Sequence, residues 1–518
     1  SASGPIVATA ATITNTAGAV TLNANGNDFG TLKVTNGNRN VTVVDKNDIA
    51  LAGVTSGYFT LATVGSVTQT APITATGLVV ATVNGTVTLT DSGNDADVLQ
   101  ISNGNRAASF TDKDDIYLST IQAGAFTLRA GGPVAQGQPA TTTSFDVATT
   151  NGGVSLNNAG NSLGTLSANL SAAGAPLTVV NNGILNIAQV STQGQVTVST
   201  LGGGNVNIGP TSNPTAKLQT TSTVNFSGVS GGVFLRNNGT IVAPGGVTVP
   251  SGKKLQWVLS SNADSGAGSL RDTIQSINSL KAPSQVSYAA PTTIKLASAL
   301  PNVLVPLSVV GNNNLTLDGT SAGNANGLAF AVSAAGSSVK GVTLQNFAQA
   351  GVWLSGAAGS TVSGITVSNS LYGLLATGAL ASGATNSLVT ASKFIGNGQG
   401  ALIQSTGLTF GLAGSSPDNT ISGSSRTTAG ITLSGTTTGT IVQNNLVTGA
   451  PTAFFISAAT GAMIGGYNPG EANSVWYATN GVFGTGTCTG TSVIKTSFGQ
   501  GVTTKYNTSA ARGLTIVP

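Results

Sequence analysis

Apolar and small polar residues alternate in short runs along the first part of the chain, as in Val20-Thr21-Leu22 and Val41-Thr42-Val43. Alternation with a period of two is typical of a strand that buries one face. Gly, Asn and Asp separate the runs, as they do at turns. No run is long enough for a separate globular core. The pattern therefore predicts a coil of short strands, each stacked on the next.

This pattern recurs as a 67-residue repeat, in which Val20 returns as Val87. Residues 20–65 are followed by closely similar text at residues 87–132, and a third copy begins at Val154 and drifts by about two positions. A fixed period of this size indicates a repeat architecture. At roughly 20 to 24 residues per coil, one repeat is expected to form about three coils of a β-solenoid.

A second rhythm occupies the C-terminal part of the chain. Val339, residues 341–344 and Asn346 return in the same order and spacing as Val362, residues 364–367 and Asn369. Similar text recurs at residues 389–397 and 440–447. We expect one coil per copy. We also expect Asn346 and Asn369 to stack in an inward turn, where their amides hydrogen-bond along a ladder.

The best helical pattern lies between the two rhythmic blocks. Leu270, Ile274 and Ile277 share one helix face, and Ser269 with Asp272 forms a weak capping box. We expect this short helix to cover the open end of a coil stack. The predicted organisation is a first block at 1–250, a junction with the capping helix at 251–300 and a second block at 301–518.

Two resemblances to known families follow from these motifs. Residues 26–32, 45–51 and 67–70 resemble the repeats of filamentous-haemagglutinin-like large exoproteins, over about 1–210. Residues 264–271 resemble the segment with which many secreted bacterial β-helix proteins begin, and about 300–518 resembles the pectate-lyase-like parallel β-helix. The first resemblance implies a secreted right-handed β-helix used for adhesion or surface structure, whereas the pectate-lyase-like resemblance implies the fold and not a function. Together they imply an all-β, right-handed parallel β-helix (β-solenoid).

Composition narrows the classes of function. The 518 residues include 71 Gly and only 7% charged residues, and the net charge is +4. Lys and Arg do not cluster, so no nucleic-acid partner is predicted. No stretch of 18 apolar residues exists, so no membrane span is predicted. The start at Ser1, directly before repeat-like text, and the scarcity of Glu, Met and His favour an extracellular or cell-surface location.

Acidic residues gather in the turns of the first block and allow two interpretations. Carboxylates at short spacing can bind Ca²⁺, and Asp also supports its own backbone in tight turns. We favour turn chemistry, because these acids recur with the repeat and do not converge at one place. The same interpretation applies to Asp318 in the second block. The residues concerned in the first block are Asp45, Asp48, Asp91, Asp95, Asp97, Asp112, Asp114 and Asp115.

Basic residues of the first block also recur in register. Arg39 returns as Arg106, and Lys46 returns as Lys113. A binding stripe for an anionic glycan is one interpretation, and surface ion pairs with the adjacent Asp residues are the interpretation that we favour.

The remaining candidates point away from catalysis. Trp257, Trp353 and Trp476 are too scattered to form a sugar platform, and core or lateral contact is the preferred role for Trp353. The chain has no His, which excludes a Ser-His-Asp triad and a His-ligated metal. The one cysteine, Cys488, excludes an intrachain disulfide and is expected to be an inert thiol.

The sequence therefore predicts no catalytic, cofactor-binding or metal-binding residue, and no enzyme. It predicts a secreted structural exoprotein: a self-associating subunit of an extracellular filament, sheath or surface layer, or an adhesin. Both ends look under-capped, and unpaired parallel edges recruit further strands, so we expect a head-to-tail homopolymer. A cell-surface glycan is the other expected partner.

Two alternatives remain open. A carbohydrate-active β-helix enzyme, a lyase or a hydrolase, requires a groove in 300–518 with two or more convergent carboxylates. The other alternative is a glycan-binding spike without catalysis.

Overall fold

The structure, a computed structural model, describes residues 4–209, 215–236, 238–288, 290–383 and 385–518. The opening Ser1-Ala2-Ser3 lies outside the described residues. The described residues form right-handed parallel β-solenoid coils, about 23 turns in all, with one short α-helix, as the sequence predicted. It divides into two compact units, Ser1–Leu255 and Gln256–Pro518. No helix in the described ranges is long and apolar enough to cross a bilayer.

The strands up to the end of the first unit run parallel to their neighbours one turn away and range in length from 2 residues in β20 to 16 residues in β6. They are β1 (Val7–Thr14), β2 (Val20–Leu22), β3 (Asp28–Thr35), β4 (Val41–Asp45), β5 (Ile49–Thr63), β6 (Val67–Thr82), β7 (Val87–Leu89), β8 (Asp95–Ser102), β9 (Ala108–Asp112), β10 (Ile116–Ala130), β11 (Val134–Gln136), β12 (Ala140–Thr149), β13 (Val154–Leu156), β14 (Ser162–Ala173), β15 (Leu177–Asn182), β16 (Leu185–Gln193), β17 (Val196–Leu201), β18 (Val206–Ile208), β19 (Lys217–Thr220), β20 (Val224–Asn225), β21 (Val233–Arg236), β22 (Thr240–Val242) and β23 (Val247–Thr248).

The remaining strands begin at the unit boundary, and the helix α1 (Leu270–Leu280) and a 3-10 turn (Val332–Ala334) lie among them. They are β24 (Leu255–Leu259), β25 (Ser284–Tyr288), β26 (Thr292–Lys295), β27 (Leu307–Asp318), β28 (Leu328–Phe330), β29 (Ser338–Gln345), β30 (Ala350–Ser355), β31 (Thr361–Ser363), β32 (Thr366–Ser368), β33 (Tyr372–Ala379), β34 (Ser387–Thr390), β35 (Lys393–Ile395), β36 (Gln399–Thr406), β37 (Leu408–Phe410), β38 (Asn419–Ser422), β39 (Ala429–Thr436), β40 (Ile441–Val442), β41 (Asn445–Thr448), β42 (Thr452–Thr460), β43 (Met463–Gly465), β44 (Ser474–Trp476), β45 (Asn480–Thr487), β46 (Ser492–Ile494), β47 (Ser497–Phe498), β48 (Thr504–Arg512) and β49 (Thr515–Val517).

The register of the first unit shows how the 67-residue repeat relates to the turns. Val43 pairs with Leu61, Leu61 with Val80 and Val80 with Ile101, so three turns carry the chain from residue 43 to residue 101. The repeat equivalent of Val43 is Phe110, nine residues further on. Because the turns of this region take 18 to 21 residues, one repeat spans about three and a half turns. The expectation of about three turns per repeat was wrong.

Equivalent residues of successive repeats therefore lie on opposite faces of the first unit. Phe110 stacks between Leu89 and Leu128, in a column that is separate from the column of Val43 and Leu61. All of these side chains are at most 1% exposed. Burial of one such aliphatic or aromatic side chain stabilises the fold by roughly 1.5–3 kcal/mol. Each repeat thus ends half a turn out of phase with the one before it, which we call the half-turn step. The step does not disturb the core, because both faces need the same alternation of inward apolar and outward polar residues.

In the second unit, one coil per copy is observed as predicted. Val339 pairs with Val362 and Leu344 with Val367, so each residue stacks on its equivalent in the next copy. One face of this unit is a separate sheet of eight parallel strands in the order β28-β30-β33-β36-β39-β42-β45-β48.

The helix begins and ends close to the predicted positions. Ser269 is its N-cap and accepts the backbone N–H of Asp272 on Oγ at 3.2 Å. Lys281 follows the last turn with φ of 54°, and its N–H donates to the Ile277 carbonyl. Leu270, Ile274 and Ile277 are buried, as the amphipathic pattern required. The helix is tied to the following segment by the Asn278 side chain, which donates to the Asn302 carbonyl and accepts the Leu304 N–H.

The predicted ladder of Asn346 and Asn369 was wrong. Both residues have positive φ, 62° and 54°, and sit in an outward turn, where Asn tolerates the left-handed conformation better than most residues. The inward ladder is formed instead by Asn419, Asn445 and Asn473. Asn419 Nδ2 donates to Asn445 Oδ1, and Asn445 Nδ2 donates to Asn473 Oδ1, each at 3.0 Å.

Candidate binding surfaces

The buried acids of the first unit hold its turns together. Asp45 Oδ1 accepts the Phe29 N–H at 2.7 Å, and Asp112 Oδ1 accepts the Ala96 N–H at 2.9 Å. In the third repeat Asn181 takes this place and accepts the Leu163 N–H at 2.7 Å. Burial raises the pKa of Asp45, and it raises the pKa of Asp112 to about 7 even though backbone N–H groups hydrogen-bond to the carboxylate. These side chains serve as acceptors within the scaffold.

The other acids of the first unit lie at turns or on the surface. Asp91 Oδ1 accepts the Gly93 N–H, and Asp48 Oδ1 accepts the Ser66 N–H. Asp97, Asp114 and Asp115 are exposed. Within the described part of the chain, no three Asp, Glu or Cys side chains are grouped so that they could hold a metal ion. The hydrogen bonds of Asp48 and Asp91 are those that the turn interpretation expects.

The recurring lysines form ion pairs with acids one turn away, not with their sequence neighbours. Lys46 Nζ lies 3.0 Å from Asp28, and Lys113 Nζ lies 2.6 Å from Asp95. The pairing lowers the pKa of Asp28 and raises that of Lys113, chiefly through the hydrogen bond in each pair. Surface ion pairing is thus present for both lysines.

Arg39 and Arg106 are exposed, and neither takes part in an ion pair with the described acids. They are repeat equivalents and so lie about three and a half turns apart, on opposite faces of the first unit. The same holds for Lys46 and Lys113. The structure therefore does not bring these cations together into one stripe.

A groove of about 660 Å³ runs along outward turns of the second unit beside Asp318. Asn346 Nδ2 donates to Asp318 Oδ1 at 3.0 Å, and Thr320 donates to the same oxygen from its N–H and its hydroxyl. Burial raises the pKa of Asp318, but these hydrogen bonds outweigh it and lower the pKa to about 2. The groove is lined by Gly319, Thr320, Gly323, Asn346, Phe347, Ala348, Asn369, Ser370, Leu371, Gly398 and Arg426.

The three tryptophans lie in different surroundings. Trp257 is buried, and its Nε1 donates to Ser284 Oγ at 3.3 Å. Trp353 is half-buried on the outer face of the eight-stranded sheet, where its Nε1 donates to Thr377 Oγ1. Trp476 is exposed beside Tyr477, with ring centroids 6.4 Å apart. Cys488 is fully buried as a free thiol.

The outer face of the eight-stranded sheet carries a feature that sequence reasoning missed. Consecutive strands pair in register, so one outward residue of each strand stacks on the next at spacings of about 4.8 Å. This apolar row is half-buried except at Thr432, which is 4% exposed. The apolar row consists of Trp353, Leu375, Leu402, Thr432, Phe455 and Phe483.

A signal for this row exists in the sequence. Every strand of the row except β39, which has Ile431-Thr432, carries two adjacent apolar residues, of which the first points inward and the second outward. Leu374 is fully buried and Leu375 half-buried, and Phe454 and Phe455 differ in the same way. An apolar pair inside an alternating strand, repeated once per turn, marks an outer apolar row.

Part of this face is concave. A groove of about 360 Å³ crosses β36, β39, β42 and β45, and its lining contains no charged side chain. The Phe455 and Phe483 rings form one side, with centroids 5.6 Å apart and an interplanar angle of 39°. The lining residues are Gln399, Thr428, Ala429, Thr452, Phe455, Asn480 and Phe483.

Comparison with known protein families matches parts of the chain. Residues 307–465 match the family described as right handed beta helix region. Residues 38–101 and 105–169 match repeats of unknown function, and the offset between these two copies agrees with the repeat period of the sequence. No curated protein and no solved structure matches the chain. The first match supports a β-helix in the second unit, the second supports a repeat in the first unit, and neither singles out haemagglutinin-like repeats.

Proposed function

We propose that this protein is an extracellular structural β-solenoid, a self-associating subunit of a filament, sheath or surface layer, or an adhesin. The observation that supports this role best is the equivalence of Asp45, Asp112 and Asn181. Two carboxyls and one amide perform the same hydrogen bond, so the position needs an acceptor and not an acid. Acidic side chains that could be taken for catalytic or metal-binding groups in the sequence thus serve as hydrogen-bond acceptors in the scaffold.

The low charge of the chain favours association between copies. The 19 basic and 15 acidic residues leave a net charge of +4 over 518 residues. A surface with so little net charge offers weak electrostatic repulsion, and a net charge near zero promotes association. The resemblance of about 1–210 to haemagglutinin-like repeats agrees with a role at the cell surface, and we include it in the support for this proposal.

Electron microscopy of the purified protein, together with immunogold labelling of the producing cells, tests the proposal. We expect assemblies that lengthen or broaden with protein concentration, and label on the cell exterior. Dispersed particles of single-chain mass at high concentration, combined with absence of surface label, would contradict it.

A carbohydrate-active enzyme is the second candidate, because the 660 Å³ groove passes beside the ionised Asp318. Glycoside hydrolysis ordinarily needs two carboxyl groups, whereas the groove lining holds Arg426 and no acid. We therefore expect no release of reducing or unsaturated ends from pectin-like and alginate-like polymers. Release that an Asp318→Asn variant abolishes would replace the structural proposal with the catalytic one.

A further inference from the structure

We propose that the groove between β36 and β45 on the outer face of the eight-stranded sheet binds an uncharged polysaccharide chain. This inference deepens the proposed function and rests on it, since it names the ligand that an adhesive or surface-associated solenoid would hold. The groove is defined by Gln399, Thr452, Phe455, Asn480 and Phe483.

The shape of the groove fits an extended chain. It crosses four consecutive parallel strands, which at about 4.8 Å per strand gives a length of about 14 Å along the axis. Its volume of about 360 Å³ lies within the range of roughly 300–1,000 Å³ that is usual for ligand clefts. A linear ligand that runs along the axis would pass Gln399, Ala429, Thr452 and Asn480, which stack on one another in successive strands.

The chemistry of the groove fits sugars. Phe455 and Phe483 offer apolar surface for the C–H groups of sugar rings. Across from them Gln399 and Asn480 offer amide groups and Thr452 a hydroxyl, which are partners for sugar hydroxyls. Because the lining has no charge, it offers no counterpart to the carboxylates of an acidic polymer or to lipid phosphates.

Two polar atoms of this face also lack a partner. Gln399 Oε1 and Thr432 Oγ1 are shielded from solvent and have no hydrogen bond among the described residues. Thr432 follows Leu402 and precedes Phe455 in the apolar row, and it is 4% exposed. An unmet acceptor in a shielded site costs free energy. A hydroxyl-bearing ligand at the groove edge can satisfy Gln399 after a small turn of its amide.

Binding of the purified full chain to soluble polysaccharides tests the proposal. The probes are uncharged polymers (β-glucan, mannan, galactan) and acidic ones (alginate, polygalacturonate), measured by titration calorimetry at 50 mM and 500 mM NaCl. We expect at least one uncharged polymer to bind, with an affinity that changes less than about twofold with salt, because screening acts on charges. Phe483→Ala should weaken binding at least tenfold, and Gln399→Ala should weaken it severalfold without loss of folding.

Leu375→Ala is the matched control, since Leu375 is in the same half-buried row but outside the groove. Its binding should equal that of the wild type. Three results overturn the proposal: no uncharged polymer binds, only acidic polymers bind and salt abolishes this, or binding survives both Phe483→Ala and Gln399→Ala. A dimer that Phe483→Ala dissociates in sedimentation would also overturn it, because the row would then be an interface between copies. Surface labelling is independent of these readouts, so failure of the ligand and failure of the surface role are told apart.

Discussion

Asp112 and Asn181 occupy equivalent places in successive repeats and accept the same hydrogen bond, Asp112 from the Ala96 N–H at 2.9 Å and Asn181 from the Leu163 N–H at 2.7 Å. The two-residue drift of the third copy, visible in the sequence, places Asn181 there instead of residue 179. An amide thus replaces the buried carboxyl in the third repeat, and the turn keeps the same hydrogen bond.

Asp112→Asn should therefore fold and change the pH dependence of stability. Burial raises the pKa of Asp112 to about 7 in the folded state, so the folded protein binds this proton more tightly than the unfolded chain. Stability from this group is then present at low pH and is lost as pH rises from about 4 through about 7. With about 1.4 kcal/mol per pKa unit, the wild type should lose on the order of 2–4 kcal/mol over this window.

Urea unfolding of the wild type and Asp112→Asn at pH 4.5 and pH 8 measures this difference. The variant should show a smaller decline, and the rest should come in part from Asp45, whose pKa burial also raises. Asn324→Ala, which removes an exposed amide and no ionisable group, is the control and should keep the wild-type slope. An unchanged slope in Asp112→Asn would show that this carboxyl does not titrate in the window.

The buried amide ladder of the second unit should be costly to break. Asn445 is fully buried, accepts from Asn419 and donates to Asn473 and to the Phe410 carbonyl. Asn445→Ala leaves these partners unmet at roughly 1–3 kcal/mol for each buried group, so thermal melting should fall by several degrees or more. Asn324→Ala, an exposed turn amide, should melt within about one degree of the wild type; equal effects in the two variants would refute the ladder.

Close stacking of the first-unit turns should exclude even one methyl group at Gly131. A Cβ there would lie 1.8 Å from the Lys113 carbonyl oxygen, which is backbone and cannot turn aside. Gly131→Ala should destabilise by about 1–3 kcal/mol or more, as overpacking does. Gly18→Ala meets nothing within 4 Å and should be neutral. Calorimetric scans of both variants decide, and a neutral Gly131→Ala would mean that the turns are looser than described.

Chelation should leave the protein unchanged. Asp112 is occupied by backbone N–H groups, Asp95 by Lys113 and Asp91 by the Gly93 N–H. We expect the same melting temperature in EDTA and in 5 mM CaCl₂. A rise of several degrees with Ca²⁺ that disappears in Asp91→Asn would reinstate the calcium interpretation of these turns.

The fold could be predicted from the sequence because the repeat period and the alternation of apolar and polar residues can be read directly along the chain. Strand runs such as Val41-Thr42-Val43 and the helix behind Ser269 lie where those patterns placed them. The phase between repeat and turn was not accessible, since the 67-residue period is compatible with three or with three and a half turns. The successive pairings of Val43 with Leu61, Leu61 with Val80 and Val80 with Ile101 decide between them.

The surfaces were harder to predict for a related reason. In the pair Phe454-Phe455 both residues look like core, and only the direction of the strand reveals that the second points outward. Asn346 and Asn369 recur with the turn as a ladder does, yet recurrence cannot distinguish an inward amide from a left-handed outward turn. Asn419, Asn445 and Asn473 are spaced unevenly, by 26 and 28 residues, so no fixed period reveals them.

The half-turn step also bears on how such a protein grows. If one 67-residue copy were duplicated, the side chains of the new copy would lie on the opposite face of the solenoid from those of the parent copy. If two copies were duplicated together, each new copy would lie on the same face as its parent. An array that lengthens in this way acquires two faces with similar side chains, whether or not selection acts on either face. A partner that binds one face would therefore have a second, similar binding surface on the opposite face.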